Sequence, residues 1–370
     1  MNILVLEPYF GGSHKAFIDG WRDHTIHQFT VLELPAYKWK WRMRHAAVTF
    51  AQQLGQHPHD AQRFDAVWCS DMLNLAEFIG LAPPNIQQLP RVVYFHENQL
   101  TYPVLREEPR DLHFAYSHFT STIAADQIWF NSEFHRREYF DATRAYLAKM
   151  PDYQAIDLLS ELEGRSAVHY PGVSGSPPRT ARRAGPMRIC WNARWEHDKN
   201  PETFFAALRI LNQQRVDFRL IVLGESFQSV PPIFDEARGE FARQIEHWGY
   251  AASTQEYRRL LNQADVIVSS ADHEFFGIGI VEAIVAGAMP VLPNRLAYPE
   301  VMRQICGDGG DRDYLYDGSV AALARRLAFL AGALNAPEWQ QRQLQLQAGA
   351  SCFLWPRVAK QMDDAMLALN

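Results

Sequence analysis

The chain has 370 residues, 47% of them hydrophobic, which is enough for two domains that each bury a core. A formal net charge of −6 excludes a global basic field for nucleic acid, so any such contact must be a local patch. Four scattered cysteines (Cys69, Cys190, Cys306, Cys352) without Cys-x-x-Cys spacing exclude a disulfide framework and a cysteine metal site, and no run approaches the roughly 20 apolar residues of a membrane span.

In chain order, a strand is expected at once, over 2–7, with neither a basic leader nor a long apolar segment before it. The turn that follows is Glu7-Pro8-Tyr9-Phe10-Gly11-Gly12-Ser13-His14-Lys15. Gly11 and Gly12 let backbone N–H groups approach a ligand where a helix begins, although any tight turn also uses paired glycines. The G-x-G-x-x-G of dinucleotide enzymes is not there. A strand over 28–34 leads into Leu34 to His45, where Lys38, Lys40, Arg42 and Arg44 alternate with Tyr37, Trp39 and Trp41. Such a surface stacks bases and pairs phosphates. The other reading is an edge strand or helix with its tryptophans buried and its charges in solvent. His57-Pro58-His59 lacks zinc-ligand spacing. Strands over 65–69, 91–96, 127–131 and 167–170 complete the first half. Asp71 and Asn74 follow the first of these, His96-Glu97-Asn98-Gln99 ends the second, and Asn131-Ser132 ends the third. Polar groups at several strand ends make one crevice.

Pro171 to Thr180, continuing to Gly185-Pro186, is rich in Pro, Gly and Ser and reads as a linker. Strands are then expected over 187–193, 218–224, 245–249, 264–269 and 288–292. After the first come Arg194 and Lys199, ahead of a helix starting near Pro201; two cations there can neutralise a diphosphate, or simply pair with Glu196 and Asp198. The most informative stretch is His273 to Ala283, in which Glu274 lies on the loop before a helix and Glu282 sits over a turn into it. Strand, glycine elbow and helix deliver a helix N-terminus to an anion at the carboxyl edge of the sheet. Two solvated carboxylates near a helix start are the plainer alternative. Asp311-Arg312-Asp313 sits in a Gly-rich loop without a preceding apolar strand and reads as a solvated turn, so no metal is expected. The fold class is α/β: a first Rossmann-like domain over 1–172, a second over 186–350, a cleft between them, and a 351–370 helix packing back on the first.

These residues resemble the tRNA-queuosine mannosyltransferase family, a branch of the retaining GT-B glycosyltransferases. The matching blocks are Glu7 to Lys15, Leu34 to Arg44, Leu73 to Glu77, Tyr94 to Val104, Arg194 to Phe204, Val222 to Phe227, His247 to Tyr250, His273 to Ala283 and Tyr298 to Glu300. Those of the second domain are common to many glycosyltransferases and specify the donor side. Tyr37 to Arg44 and Phe95 to Val104 are more particular to this branch and carry the acceptor assignment.

The resemblance implies retaining transfer of mannose from GDP-mannose to the cyclopentenediol of queuosine in tRNA, with no cofactor. Arg194 and Lys199 would hold the diphosphate, Glu274 the sugar hydroxyls and Glu282 the ribose. Gly11, Gly12, Phe276, Gly277 and Ile278 would approach the donor, and Val222 to Phe227 (with Gly224) and Trp248 to Tyr250 (with Gly249) would line the base pocket. His96 would meet the donor sugar. His14, Lys38, Lys40, Arg42, Arg44, Glu97, Asn98 and Gln99 would serve the acceptor. The expected setting is cytoplasmic, with no membrane contact, as a monomer or weak homo-oligomer. Rival readings are a GT-B enzyme acting on a lipid, polysaccharide or other small acceptor, and a non-catalytic nucleotide-sugar or RNA-binding module.

Overall fold

The alternation of short apolar runs with helical segments produces two parallel sheets in the computed structural model, which describes residues 1–56, 64–103, 111–177, 179, 182, 184–225 and 230–369. In the first sheet the strands are β1 (Asn2–Phe10), β2 (Gln28–Pro35), β3 (Ala66–Ser70), β4 (Arg91–Phe95), β5 (Gln127–Phe130) and β6 (Ser166–Val168). Their order across the sheet is β2-β1-β3-β4-β5-β6, with every pairing parallel. The second sheet contains β7 (Met187–Asn192), β8 (Phe218–Leu223), β9 (Ile245–Gly249), β10 (Val266–Val268), β11 (Met289–Pro293) and β12 (Leu315–Tyr316), ordered β12-β11-β10-β7-β8-β9. Chain direction across the sheet reverses between β1 and β3 in the first and between β7 and β10 in the second. In open α/β sheets, loops leaving the strands part at such a reversal, which is where ligands bind.

Side chains alternate across each strand, and the first sheet shows the consequence. Leu4, Leu6, Val67, Cys69, Val93 and Phe95 belong to one core, while Ile3, Val5, Ala66, Trp68, Val92 and Tyr94 belong to the other. The second of these cores needs two helical covers. The helix Gly12–Arg22 supplies Phe17, Ile18 and Trp21, and the helix Trp355–Leu367 supplies Trp355, Val358, Ala359, Met362 and Met366 at a helical period. The last helix is therefore part of the first unit, Met1–Gly172 with Trp355–Asn370, and the other unit is Val173–Leu354. Residues 351–354, expected in the returning segment, belong to the second unit as a 3-10 turn, Ser351–Phe353, and its exit. The linker from Val173 onward also belongs to that unit. Arg179 and Arg182 reach the buried carboxylate of Asp265 at 2.6 and 3.2 Å, and Arg188 N donates to it at 2.9 Å. The calls on His57-Pro58-His59 and on Val104, Pro178, Thr180, Ser226 and Phe227 lie outside the described residues. β12 went unforeseen.

Trp355 fills a slot that only glycines leave open. A Cβ on Gly20 or on Gly172 would overlap its indole, which also meets Phe17 edge-on at 5.7 Å. Trp355→Ala is expected to cost the first unit about 3–5 kcal/mol, through lost transfer energy and the cavity left behind. Urea unfolding followed by the fluorescence of that unit checks this; a loss below about 1 kcal/mol would mean the helix is only laid over the core.

Candidate active site

Arg194 and Lys199 leave β7, and His273 and Glu274 leave the adjacent β10, so the reversal point of the second sheet gathers them. The loop after β7 tightens into a 3-10 turn, His197–Lys199. Asn200 ends it in the left-handed region at φ 48° and caps the helix Pro201–Gln213 by accepting from Thr203 N at 3.1 Å. That turn drives Lys199 inward until it is only 6% exposed. Its ammonium donates to His273 O at 2.7 Å and lies 3.1 Å from Asp198 and 3.4 Å from Glu274. Burial alone would strip its proton, but Glu274 and Asp198 outweigh that and hold Lys199 above its ordinary value. Burial likewise works against the charge of Glu274, yet Lys199, the N–H of Phe276 and Arg194 bring it below the ordinary carboxylate range. His273, buried beside those cations, is lowered to about 4 and stays neutral. Arg194 is exposed at the mouth, 3.3 Å from Glu196.

Gly277 starts the helix Ile278–Val285 at φ 88°, a conformation only glycine adopts without strain. Two residues on, Gly279 lets the helix approach β7: a Cβ there would press on Asn192. Asn192 Nδ2 donates to Tyr257 OH at 2.8 Å, and that hydroxyl donates to Glu282 Oε2 at 2.5 Å. Burial raises Glu282 despite the phenol hydrogen bond. Phe276 packs inward on Phe353 at 5.4 Å, while Ile278 is partly exposed at the first helical position. Gly224 is required by packing, since a Cβ would overlap Ala193 O; Gly249 closes β9 at φ 114° and Tyr250 beyond it is exposed. Trp248 meets Trp195 edge-on at 5.5 Å, and Trp195 stacks on Phe234 at 4.3 Å. Tyr257 was missed in the sequence because nothing in a polar helix segment links it to a carboxylate 25 residues away.

The first sheet gathers a second polar group at its own reversal point. Glu7, fully buried on β1, accepts from Tyr9 N at 2.8 Å and faces His14 Nδ1 at 3.2 Å. His14, expected at the acceptor, is instead buried against Glu7, because a dry carboxylate needs a cation. Its ring lies 4.0 Å from that of His96, and Asp71 Oδ1 accepts from His96 N at 2.8 Å. Asn131 Nδ2 donates to His96 O at 2.8 Å, and its oxygen lies 2.8 Å from His135 Nδ1. Among the described residues, Glu7, His14 and His96 each place one ligand atom within 4.8 Å of the others, a spacing that a metal ion could span. Asn98, also expected at the acceptor, is fully buried, and its oxygen accepts from Leu100 N and Thr101 N at 3.1 and 3.0 Å to shape the turn. Glu97 and Gln99 remain partly exposed and bonded to each other at 3.1 Å. Gly11 is small for packing: a Cβ would overlap Ala36. Gly12, at φ 52°, has open space around it.

The basic-aromatic segment starts the helix Trp39–Gln56 with Tyr37 and Trp41 both more than half exposed, so these two aromatics are not core. Lys38 lies over Tyr37 at 5.3 Å and Lys40 over Trp39 at 5.6 Å. Arg42 is turned onto Pro35 O at 3.0 Å and His45 at 2.9 Å, and Arg44 lies over Phe114 and 3.1 Å from Asp111.

Residues 2–173 match the family model described as "tRNA-queuosine alpha-mannosyltransferase N-terminal", and residues 186–332 match "Glycosyl transferases group 1". A Drosophila melanogaster protein named tRNA-queuosine alpha-mannosyltransferase is 35% identical over 312 residues, 81% of this chain and 81% of its own length. Among solved structures, HepE of Anabaena in complex with UDP superposes with a TM-score of 0.68 at 15% identity, covering 100% of both chains. Sucrose-phosphate synthase of Thermosynechococcus elongatus gives 0.71 at 15% identity, covering 100% of this chain and 99% of its own. At that identity the likeness speaks for the fold, which is GT-B. Among the described residues no helix is long and apolar enough to cross a membrane.

The pairing around Lys199 makes a pH-dependent contribution to stability. Glu274 is held low, so its share is present at neutral pH and is lost as pH falls through that depressed value; Lys199 is held high, so its share is present below 10.5 and is lost only as pH rises through the raised value. Both operate at pH 7. Lys199→Met leaves Asp198 and Glu274 without their cation and is expected to cost the second unit about 3–5 kcal/mol at pH 7. The gap to the parent should narrow as pH falls from 7 into the acid range, where protonation of Glu274 relieves its uncompensated charge. Urea titrations across that range read it; a constant gap would place the loss in packing of the lysine stem.

Proposed function

Because the chain belongs to the tRNA-queuosine alpha-mannosyltransferase family and is a glycosyltransferase, we propose that it moves mannose from GDP-mannose to a cyclopentenediol hydroxyl of queuosine in tRNA, with retention. The observation that carries the donor side is the buried Lys199 shared by Asp198 and Glu274 beside the glycine-started helix Ile278–Val285. As the bond from the sugar to the diphosphate breaks, negative charge grows on the departing phosphate and positive character on the sugar. Lys199, Arg194 and the helix N-terminus are fixed before the reaction begins, so they stabilise that phosphate without reorganising. Glu274, ionised, accepts from sugar hydroxyls. Glu282, oriented by Tyr257, accepts from the ribose. The partly exposed Trp248, with Tyr250, borders the guanine. His96 offers an imidazole to the hexose. The acceptor hydroxyl attacks on the face the phosphate leaves, its proton passing to the departing phosphate oxygen. No metal takes part in this reading, since the two cations do the work at the diphosphate.

The direct test is mass spectrometry of nucleosides from queuosine-containing tRNA incubated with the enzyme and GDP-mannose. Queuosine is expected to gain one hexose, at a rate unchanged by EDTA, and Arg194→Ala is expected to lose about 2–4 kcal/mol of transition-state stabilisation. A strict need for added Mg²⁺ or Mn²⁺ would remove Arg194 and Lys199 from the diphosphate.

On the acceptor side, the exposed faces of Tyr37 and Trp41 with Lys38, Lys40, Arg42 and Arg44 form the tRNA surface of this proposal. Changing these four cations to Ser is expected to weaken tRNA binding, flatten its dependence on salt by roughly one unit or slightly less per lost phosphate contact, and leave GDP binding intact. The two lysines are expected to dominate, since Arg42 and Arg44 already serve Pro35, His45 and Asp111. Filter binding across a salt series reads both effects; an unchanged slope would make the segment structural.

A further inference from the structure

The helix Thr254–Gln263 follows the loop that carries Tyr250, and Ser253 caps it by accepting from Glu256 N at 3.1 Å. Leu260 and Leu261 are buried on it, and Tyr257, three and four residues before them, shares their face and is turned toward the helix Ile278–Val285. The contact it makes there is polar. Glu282, partly exposed, accepts from the phenol through Oε2 at 2.5 Å, and the same hydroxyl lies 2.8 Å from Asn192 Nδ2. A third partner settles which way the protons run. Asn192 Nδ2 is also 3.2 Å from Gly279 O, and a carbonyl can only accept, so the amide nitrogen is the atom turned toward both. The amide therefore donates to the phenol oxygen, and the one phenol proton is left for Glu282. Burial, with Glu282 beside it, pushes the phenol well above its ordinary value, so that proton stays in place.

We propose that Asn192 and Tyr257 are positioning residues that hold the Glu282 carboxylate for a vicinal diol, and that this relay makes the site select ribonucleoside over 2′-deoxyribonucleoside diphosphates. The proposal deepens the reading that Glu282 meets the donor ribose, and it rests on that reading.

The selectivity follows from counting donors and acceptors. An ionised carboxylate offers about four acceptor positions on two oxygens. One of them, on Oε2, belongs to Tyr257, and the others accept from a ligand. A ribose presents two adjacent O–H donors, which two carboxylate oxygens take together as charge-assisted bonds. A 2′-deoxyribose presents one, and leaves a charged, partly buried oxygen without its donor. Tyr257 cannot make up that loss, because its single proton is already given to Oε2. A glutamate free to turn would follow whichever hydroxyl remained and so blunt the difference; Glu282, held by the phenol, does not turn. The tether has a fixed base, since Asn192 ends β7 and Gly279 is small enough for the helix to close on it.

Isothermal titration of the full-length protein with GDP and with 2′-deoxy-GDP tests the relay. The parent is expected to bind GDP at least about tenfold more tightly than the deoxy nucleotide. Tyr257→Phe removes the hydroxyl and keeps the ring. It is expected to weaken GDP about five- to tenfold and 2′-deoxy-GDP less than about twofold, which erases most of the preference. Retained binding of the deoxy nucleotide also shows that the variant is folded. Glu282→Gln is expected to lose the preference, and adding Tyr257→Phe to it is expected to weaken GDP no further, since the hydroxyl acts through the carboxylate. Equal losses for both nucleotides in Tyr257→Phe, no loss for either, or a fully additive loss in the double variant overturns the proposal and leaves the ribose reading standing. A parent that binds both nucleotides alike, or a Glu282→Gln variant that keeps the preference, overturns the ribose reading and the proposal together.

Discussion

An ammonium group taken out of water must be shared among partners that cannot leave it, and Lys199 meets this condition at the reversal point of the second sheet. One partner, Asp198, is its own neighbour in sequence; the others, Glu274 and the carbonyl of His273, arrive from the loop after β10. The pair therefore ties two loops that the parallel topology only brings near each other. A buried pair of this kind adds little net stability compared with an apolar filling, but breaking it is expensive, so it fixes geometry more than it strengthens the fold. Ser270 Oγ, which donates to Lys199 O at 2.9 Å, and Asp272 N and His273 N, which donate to Asp198 O, complete the connection through backbone groups. This edge of the sheet therefore presents a set of donors already held in place.

The first unit solves a related problem with a different cation. Its reversal point collects Glu7, Asp71 and Glu97 near His14, and burial with the neighbouring acids raises Asp71 to about 8. Lys199 stays charged at any physiological pH, whereas a histidine held near 9 and an acid held near 8 lie within reach of mild alkali. The Lys199 cluster is thus fixed electrostatically, whereas the cluster of the first unit is built around a group that titrates closer to neutrality.

Much of this architecture was legible from residue periodicity. The apolar runs of β1, β3, β4, β7 and β8 are buried on both faces, as parallel strands between helices must be, and they read as strands for that reason. β12 did not, because Leu315-Tyr316 is two residues long and no pattern can be seen in two positions. Glu274 and Glu282 stand out in the sequence through their place around a glycine elbow, and Arg194 and Lys199 through their place after a strand. Their environments do not. Whether Glu282 is held by a tyrosine, or His14 is spent on Glu7, depends on how helices pack on the sheet, and spacing along the chain carries no record of that. The basic-aromatic segment left two readings open for the same reason: alternation of charge and ring is compatible with burial or exposure until a helix axis is placed under it. The placed helix leaves Tyr37 and Trp41 in solvent.

The glycines separate two uses of the same residue. Gly11, Gly20, Gly172, Gly224 and Gly279 each stand where a side chain would collide with a neighbouring residue, whereas Gly277 stands where the backbone needs a left-handed turn to begin a helix. Gly277 and Gly279 act on one helix. The first aims its N-terminal amides and the second lets it settle against Asn192 on β7, the strand whose loop carries Lys199. A side chain at Gly279 would push the helix away from that strand, and its partial positive end with it, since the dipole's effect falls off within a turn. The electrostatic site is therefore a packing result: cation, carboxylate and helix end coincide because small residues let the backbones approach.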